Sequence, residues 1–323
     1  MGERSSRLNL RPSTHLVLLL LSCALLPLLA AAKGPGGHTV RSGNIWIDPD
    51  TSEPAGTHYH LFPTAARGPG TEASYLIYLP PDYATATSRR YPVLYWLHGG
   101  GGSQREGAWM VERIDRQIRA GNLQPMIVVL VQGLPDVRYI NTKDGTRPVE
   151  DVIIHDLIPH IDATYRTIPL RTSRGIEGMS MGGFGALRLG FKYPKLFGAV
   201  SGLAPSLTEM KDEPAIVAEP FGNDQAFYDA VGPWTIVKEN ASSLRGKTSV
   251  RLLVGDQDKL LPYVKKYSEL LTSLQIEHQF AIAPGAQHMY NEIVEDLPFD
   301  ALLFWNTALA QPQASYPGNQ AKK

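Results

Sequence analysis

A chain of 323 residues that is 43% hydrophobic and 19% charged, with 31 basic and 31 acidic residues and a formal net charge of zero, has an ordinary globular composition. It lacks the basic excess that nucleic acid demands and the acidic excess of a solvating tail, so the expected partner is a small molecule or a neutral polymer. Its one cysteine, Cys23, excludes a disulfide framework and a cysteine-ligated zinc site.

From the N-terminus, Arg4, Arg7 and Arg11 precede an apolar run from Leu16 to Leu29, broken only by Ser22, Cys23 and Pro27 and followed by Ala30, Ala31 and Ala32. A basic start, an apolar middle and small residues at the cleavage position predict a secretory signal peptide over 1–32. The run is short of the ~20 residues a membrane span needs. It also continues past Cys23, where a lipoprotein would turn polar. The expected mature protein is therefore secreted, extracellular or periplasmic, free of the membrane and without cysteine. A Gly-rich linker is predicted over 33–45, one catalytic domain over 46–311 and a flexible C-terminal tail over 312–323.

Within that domain short apolar runs alternate with longer amphipathic ones. The predicted strands are SYLIYLP (74–80), YPVLYWLHG (91–99), PMIVVLVQG (125–133), RGIEG (174–178), GAVSGL (198–203), SVRLLVGD (249–256) and HQFAIAPG (278–285). Several are apolar throughout, as strands covered on both faces must be. Helices are predicted at Val111–Ala120, Val149–Tyr165, Phe184–Tyr193, Pro262–Leu274 and Pro298–Leu309. This alternation predicts an α/β fold: a mostly parallel sheet with helices on both faces, binding its ligand beyond the carboxyl ends of the strands.

The stretch RGIEGMSMGGFGALRLG (174–190) puts Ser180 between Gly178 and Gly182 where a strand gives way to a helix. Small neighbours are what a nucleophile elbow needs, because the chain turns too sharply there for side chains. A GxSxG match alone is weak. It gains weight from the residues that stand just after other predicted strands: His98 and the run Gly99–Gly102, then Asp256 and Asp258, then His288. Serine, aspartate and histidine in that order, each after a strand, are the order of an α/β-hydrolase. Ser180 needs a base to attack a carbonyl, His288 has the side chain suited to that task, and a carboxylate must orient the imidazole. The glycine run can aim backbone N–H groups at an oxyanion. Asp258, deeper in its loop than Asp256, is better placed to turn back toward the histidine, but spacing leaves the choice open. His98 is expected to orient the glycine run, and His155, His160 and His278 lie on a helix or at the amino end of a strand. His58 and His60, spaced to share one strand face, could with His98 suggest zinc. No carboxylate or further ligand is placed with them, so no metal and no cofactor is expected.

The residues also carry a resemblance. YLPPDY (78–83), YPVLYWLHGGGG (91–102), EDVIIHDLIPHIDATYRT (150–167), GMSMGGFGAL (178–187), LVGDQDKLL (253–261) and GAQHMYNEI (285–293) resemble, in order, blocks of the putative-esterase branch of the α/β-hydrolases. That branch includes esterase D, feruloyl and acetylxylan esterases, enterochelin esterases and mycolyltransferases. Pro159, odd inside a helical pattern, is a feature of the family block as well.

The resemblance covers nearly all of the chain from about Tyr75 and implies the α/β-hydrolase fold. It further implies Ser180 as nucleophile, Asp258 as acid and His288 as base, with the N–H groups of Gly100 and Met181 as the oxyanion hole. The implied activity is that of a secreted serine carboxylesterase acting through an acyl-enzyme. Secretion favours feruloyl or acetyl esters of plant polysaccharides over the cytoplasmic hydrolysis of S-formylglutathione. An acyltransferase of the mycolyltransferase type would use the same triad. A non-catalytic carbohydrate-binding relative would have lost a triad member, and none is missing. The loops 132–151 and 203–247 are expected to wall the pocket, with aromatics such as Tyr228 and Trp234 serving either the substrate or a small satellite core.

Overall fold

The computed structural model describes residues 1–2, 32–33, 39–40, 43–212, 218–297 and 300–310. The expected signal peptide, apart from Met1, Gly2 and Ala32, lies outside these residues, as does the expected tail over 312–323. Across the boundary between the expected signal peptide and the expected linker, Ala32–Lys33 pairs antiparallel with Thr39–Val40.

Eight strands form one sheet: β1 Thr57–Pro63, β2 Glu72–Tyr78, β3 Val93–Leu97, β4 Ile127–Val131, β5 Arg174–Met179, β6 Ala199–Leu203, β7 Ser249–Gly255 and β8 Gln279–Ala283. Their order across the sheet is β8-β7-β6-β5-β3-β4-β2-β1. β2 runs antiparallel to β1 and β4, and every other neighbouring pair is parallel. All five residues of β3 and of β4 are buried. Alternation sends Leu94 and Trp96 into one apolar layer and Val93, Tyr95 and Leu97 into the other, which is why these strands read as unbroken apolar runs.

The helices are α1 Ala108–Arg119, α2 Val149–Thr164, α3 Met181–Lys192, α4 Gln225–Val231, α5 Pro233–Leu244, α6 Leu261–Ser273, α7 Tyr290–Glu295 and α8 Phe304–Ala308. Met110 and Ile114 of α1 and Trp305 of α8 fill one layer. Ile153 of α2, Phe184 of α3, Val237 of α5 and Tyr267 of α6 fill the other. α2 accommodates Pro159 by widening to π-helical turns over Val152–Leu157, where Ile158 N–H bonds to Ile153 O. The wider turn relieves the clash a proline ring makes with the carbonyl one turn earlier.

Two charged residues, Glu177 and Arg251, lie at interior positions of the described strands. Glu177 on β5 pairs in register with Ser201 on β6, which pairs with Arg251 on β7. Arg251 donates to Glu177 Oε2 at 2.6 Å and to Ser201 Oγ at 3.0 Å, and its guanidinium lies 4.3 Å from the Phe304 ring centroid. Ion-pairing across three strands keeps these buried charges compatible with the core.

The seven predicted strands are all present, and the sheet gains β1 as an antiparallel edge. Its sequence, THYHLFP, buries only Thr57 and Phe62 and so lacks the apolar continuity of the central strands. The connection 203–247 contains α4 and α5, and α7 follows His288. The last helix is shorter than expected, a 3₁₀ turn at Ala301–Leu303 leading into Phe304–Ala308.

Candidate active site

β5 ends at Met179 and α3 begins at Met181, so the whole change of direction falls on Ser180, at φ 56° and ψ −114°. A non-glycine residue held there is strained by about 1–3 kcal/mol. Its surroundings fix it: Ser180 N–H donates to Leu203 O at 2.9 Å, and its carbonyl accepts from Phe184 N–H and Ser206 N–H, both at 3.0 Å. The neighbouring glycines have steric causes. A Cβ on Gly182 would stand 2.0 Å from Leu97 O, one on Gly178 2.4 Å from the Gly182 carbonyl, and one on Gly183 2.9 Å from Pro205 Cα. Backbones of β3, β5 and α3 pass in contact here, and Ser180 is left half-buried at the carboxyl end of the sheet.

The loops that follow β7 and β8 carry Asp258 and His288. His288 Nδ1 stands 2.7 Å from Asp258 Oδ2, with side-chain exposures of 27% and 1%. Asp258 Oδ1 accepts Leu260 N–H at 2.8 Å, so both carboxylate oxygens are committed and its plane is set. Asp256 is exposed and accepts Gly285 N–H at 2.9 Å and Gln257 Nε2–H at 2.9 Å. It closes the turn and does not meet the imidazole. The His288 loop lies on the end of β7, because a Cβ on Gly255 would stand 2.0 Å from Ala286 O.

Of the four amides in the glycine run, three are taken. Gly99 N–H donates to Glu106 Oε2 at 2.9 Å, Gly101 N–H to Pro135 O at 2.8 Å and Gly102 N–H to Gly99 O at 3.2 Å. Gly100 N–H has no protein acceptor among the described residues. Met181, at the first position of α3, carries an N–H that the helix itself cannot accept, at the positive end of its dipole. A Cβ on Gly100 would lie 3.9 Å from Met181 Cβ, so the two amides belong to adjoining residues beside Ser180.

The run is held from beneath by His98 and by Arg138 and Tyr139, the last two of which no sequence pattern singles out. His98 is buried, with Nδ1 2.8 Å from Gly99 O and Nε2 2.9 Å from Gly133 O, which gives it the orienting role expected of it. Arg138 and Tyr139 both take left-handed backbone, at φ 52° and 59°. Tyr139 O–H donates to His98 O at 3.0 Å, and its ring fills space that only glycine leaves open at Gly133 and Gly185. Burial, with Glu106 nearby, pushes the Tyr139 phenol well above its usual value and keeps it a donor. Arg138 donates to Ser206 O and Oγ, both at 3.1 Å, and Ser206 N–H is the group that holds the Ser180 carbonyl. Two consecutive left-handed non-glycine residues have no sequence signal, because tertiary contacts impose them.

The other histidines are placed elsewhere. His58 lies 3.3 Å from Glu53 and His60 packs on the Tyr75 ring, while both His98 nitrogens face backbone carbonyls. No group of three or more His, Cys, Asp or Glu side chains among the described residues is arranged to hold a metal ion. His155 lies 3.8 Å from Asp151, His160 bonds Tyr75 O–H at 3.1 Å, and His278 bonds Ser268 Oγ at 2.7 Å. Tyr228 packs on Phe221 with ring centroids 4.7 Å apart, and Trp234 on Tyr267 at 4.9 Å. Both pack into the larger of the two apolar layers and form no separate satellite core.

The strand order and the serine elbow define an α/β-hydrolase fold. The chain belongs to the putative-esterase family, whose model, described as "Putative esterase", matches residues 67–314. It is similar to an esterase of Mycobacterium tuberculosis, 35% identical over 198 residues that cover 55% of this chain and 41% of that protein. It is also similar to an endo-1,4-beta-xylanase/feruloyl esterase of Xylanibacter ruminicola, 33% identical over 153 residues, 43% of this chain and 21% of that protein. The chain thus matches less than half the length of these relatives. A solved ferulic acid esterase shares the fold with a TM-score of 0.64 at 21% identity, over 75% of this chain and 94% of that one.

Proposed function

We propose that the protein is a serine carboxylesterase. Ser180 Oγ attacks the acyl carbonyl as His288 Nε2 takes its proton, and the N–H groups of Gly100 and Met181 receive the oxyanion. His288 returns the proton to the departing alcohol, leaving an acyl-enzyme. Water then attacks under the same base, releasing the carboxylic acid and restoring Ser180. The observation that carries this reading is the 2.7 Å pairing of buried Asp258 with His288, at the same end of the sheet as the strained Ser180.

The substrates proposed are feruloyl or acetyl esters of plant polysaccharides, and the site of action is outside the cell after removal of residues 1–32. The names of the Xylanibacter relative and of the ferulic acid esterase support the acyl group. The basic-then-apolar leader supports export. The test is a panel running from p-nitrophenyl acetate through longer acyl chains to methyl ferulate, with products analysed with and without an acceptor sugar. Free acid in both conditions is expected. Acyl sugar as the main product would replace the hydrolase with an acyltransferase, and no turnover of any ester would overturn the reading.

A further inference from the structure

One charged group beside Ser180 has no part in the chemistry above. Glu106, on the turn Gln104–Gly107 ahead of α1, folds its carboxylate back over the glycine run, where Oε2 accepts Gly99 N–H at 2.9 Å. A carbon placed on Gly99 would stand 3.6 Å from that oxygen and 3.9 Å from Ser180 Cβ, and one on Gly102 would strike Oε1 at 1.9 Å. The carboxylate and the nucleophile therefore border the same small space. Glu106 is exposed and has no ion-pair partner among the described residues, because neighbouring Arg105 is engaged by Asp48 at 3.4 Å and Asp50 at 3.1 Å.

Beside this carboxylate a cleft of about 240 Å³ opens between the glycine run and the segment 45–49, bordered by Asp48, Pro49, Gly102, Glu106, Gln132 and Pro135. Its walls are fixed by hydrogen bonds. Gln132 Nε2 donates to Ile45 O at 2.9 Å, Gln132 Oε1 accepts Gln104 N–H at 3.0 Å, and Asp48 N–H donates to Ser74 Oγ at 2.9 Å. Glu106 borders both this cleft and the space beside Ser180, whose other lining groups differ. Unclaimed amides of Gly100 and α3 favour the one negative charge that develops on the reacting oxygen, whereas an unpaired carboxylate beside them opposes any second negative charge. The carboxylate's remaining lone pairs accept hydroxyl protons.

From this geometry we infer that Glu106 sets specificity for the alcohol half of the ester. The cleft receives a neutral polyhydroxyl group of about sugar size, and alcohols carrying a carboxylate or phosphate are rejected. The inference rests on the esterase reading above. Glu106→Gln tests it, because an amide oxygen can still accept Gly99 N–H while the charge is gone. Three acetyl esters serve as probes: p-nitrophenyl acetate, a monosaccharide monoacetate and the anionic 4-acetoxybenzoate. Relative to p-nitrophenyl acetate, kcat/KM for 4-acetoxybenzoate should rise about tenfold in the variant, and that for the sugar acetate should fall at least about fivefold. Ratios that stay fixed, or that move in the same direction, overturn it. In the wild-type protein, raising salt from about 0.02 M to about 0.5 M should raise the anionic-to-neutral ratio severalfold, because an exposed charge is screened. A flat ratio overturns the charge filter without recourse to any variant. Turnover of p-nitrophenyl acetate reports on the hydrolase itself, so its absence defeats the esterase reading, whereas its presence with unchanged ratios defeats only the role of Glu106.

Discussion

Asp258→Asn changes one atom in the pair that orients the proposed base, and the structure dictates the result. The asparagine oxygen can keep the Leu260 N–H bond at 2.8 Å, which turns its NH₂ toward His288 Nδ1. A donor there forces the ring to accept on Nδ1 and to carry its proton on Nε2, leaving no lone pair to take the proton of Ser180. The flipped amide fares no better, because it sets NH₂ against Leu260 N–H at a side chain only 1% exposed. Wrong tautomer and lost charge together should lower kcat by about 10⁴, or ~5.4 kcal/mol at 1.36 kcal/mol per decade. Asp256→Asn retains an oxygen for Gly285 N–H on an exposed turn. It should cost about 1 kcal/mol of stability and little turnover. The assay is kcat on p-nitrophenyl acetate at neutral pH, for both variants, with folding checked by circular dichroism. An active Asp258→Asn, or an inactive but folded Asp256→Asn, would refute the reasoning.

Tyr139→Phe removes only the hydroxyl that donates to His98 O at 3.0 Å. Loosening the glycine run should lower kcat about tenfold with KM nearly unchanged, and an unaltered kcat would mean the run holds its shape without that bond. Glu177→Ala leaves Arg251 buried without its carboxylate. It should cost about 3–5 kcal/mol in urea denaturation, and a loss below about 1 kcal/mol contradicts the role given to the pair. Burial, with His60 nearby, holds the His160 imidazole below its usual value of 6.5, so the unfolded chain takes up this proton first. Its contribution to stability is therefore full above that value and declines as pH falls below it. In His160→Gln the drop in denaturation midpoint between pH 7 and pH 5.5 should be smaller than in wild type, and an equal drop would count against the assignment.

Legibility in the sequence tracks how local each cause is. β3 and β4 are readable because burial on both faces demands unbroken apolar runs. The elbow is readable because its glycines stand within two residues of Ser180, although the carbonyl that excludes a side chain at Gly182 belongs to the distant Leu97. The choice between Asp256 and Asp258 is not, since each side chain's direction depends on the His288 loop resting on Gly255. β1 is hidden because exposed residues interrupt its apolar ones, and α4 and α5 because they fall in a long connection read as pocket-walling loop. Arg251 and Glu177 look out of place in strands until register sets them on either side of Ser201. The left-handed backbone of Arg138 and Tyr139 is imposed by Ser206, His98 and two distant glycines, none of which a local pattern can show.

The central claim is that Ser180 is an activated nucleophile. A fluorophosphonate probe, which reacts at useful rates only with such a serine, combined with peptide mapping in the mass spectrometer, tests it most directly. One label per chain, on the peptide containing Ser180, absent from Ser180→Ala and strongly slowed in His288→Ala, is the predicted result. Label on another residue, or none on folded protein, would contradict it.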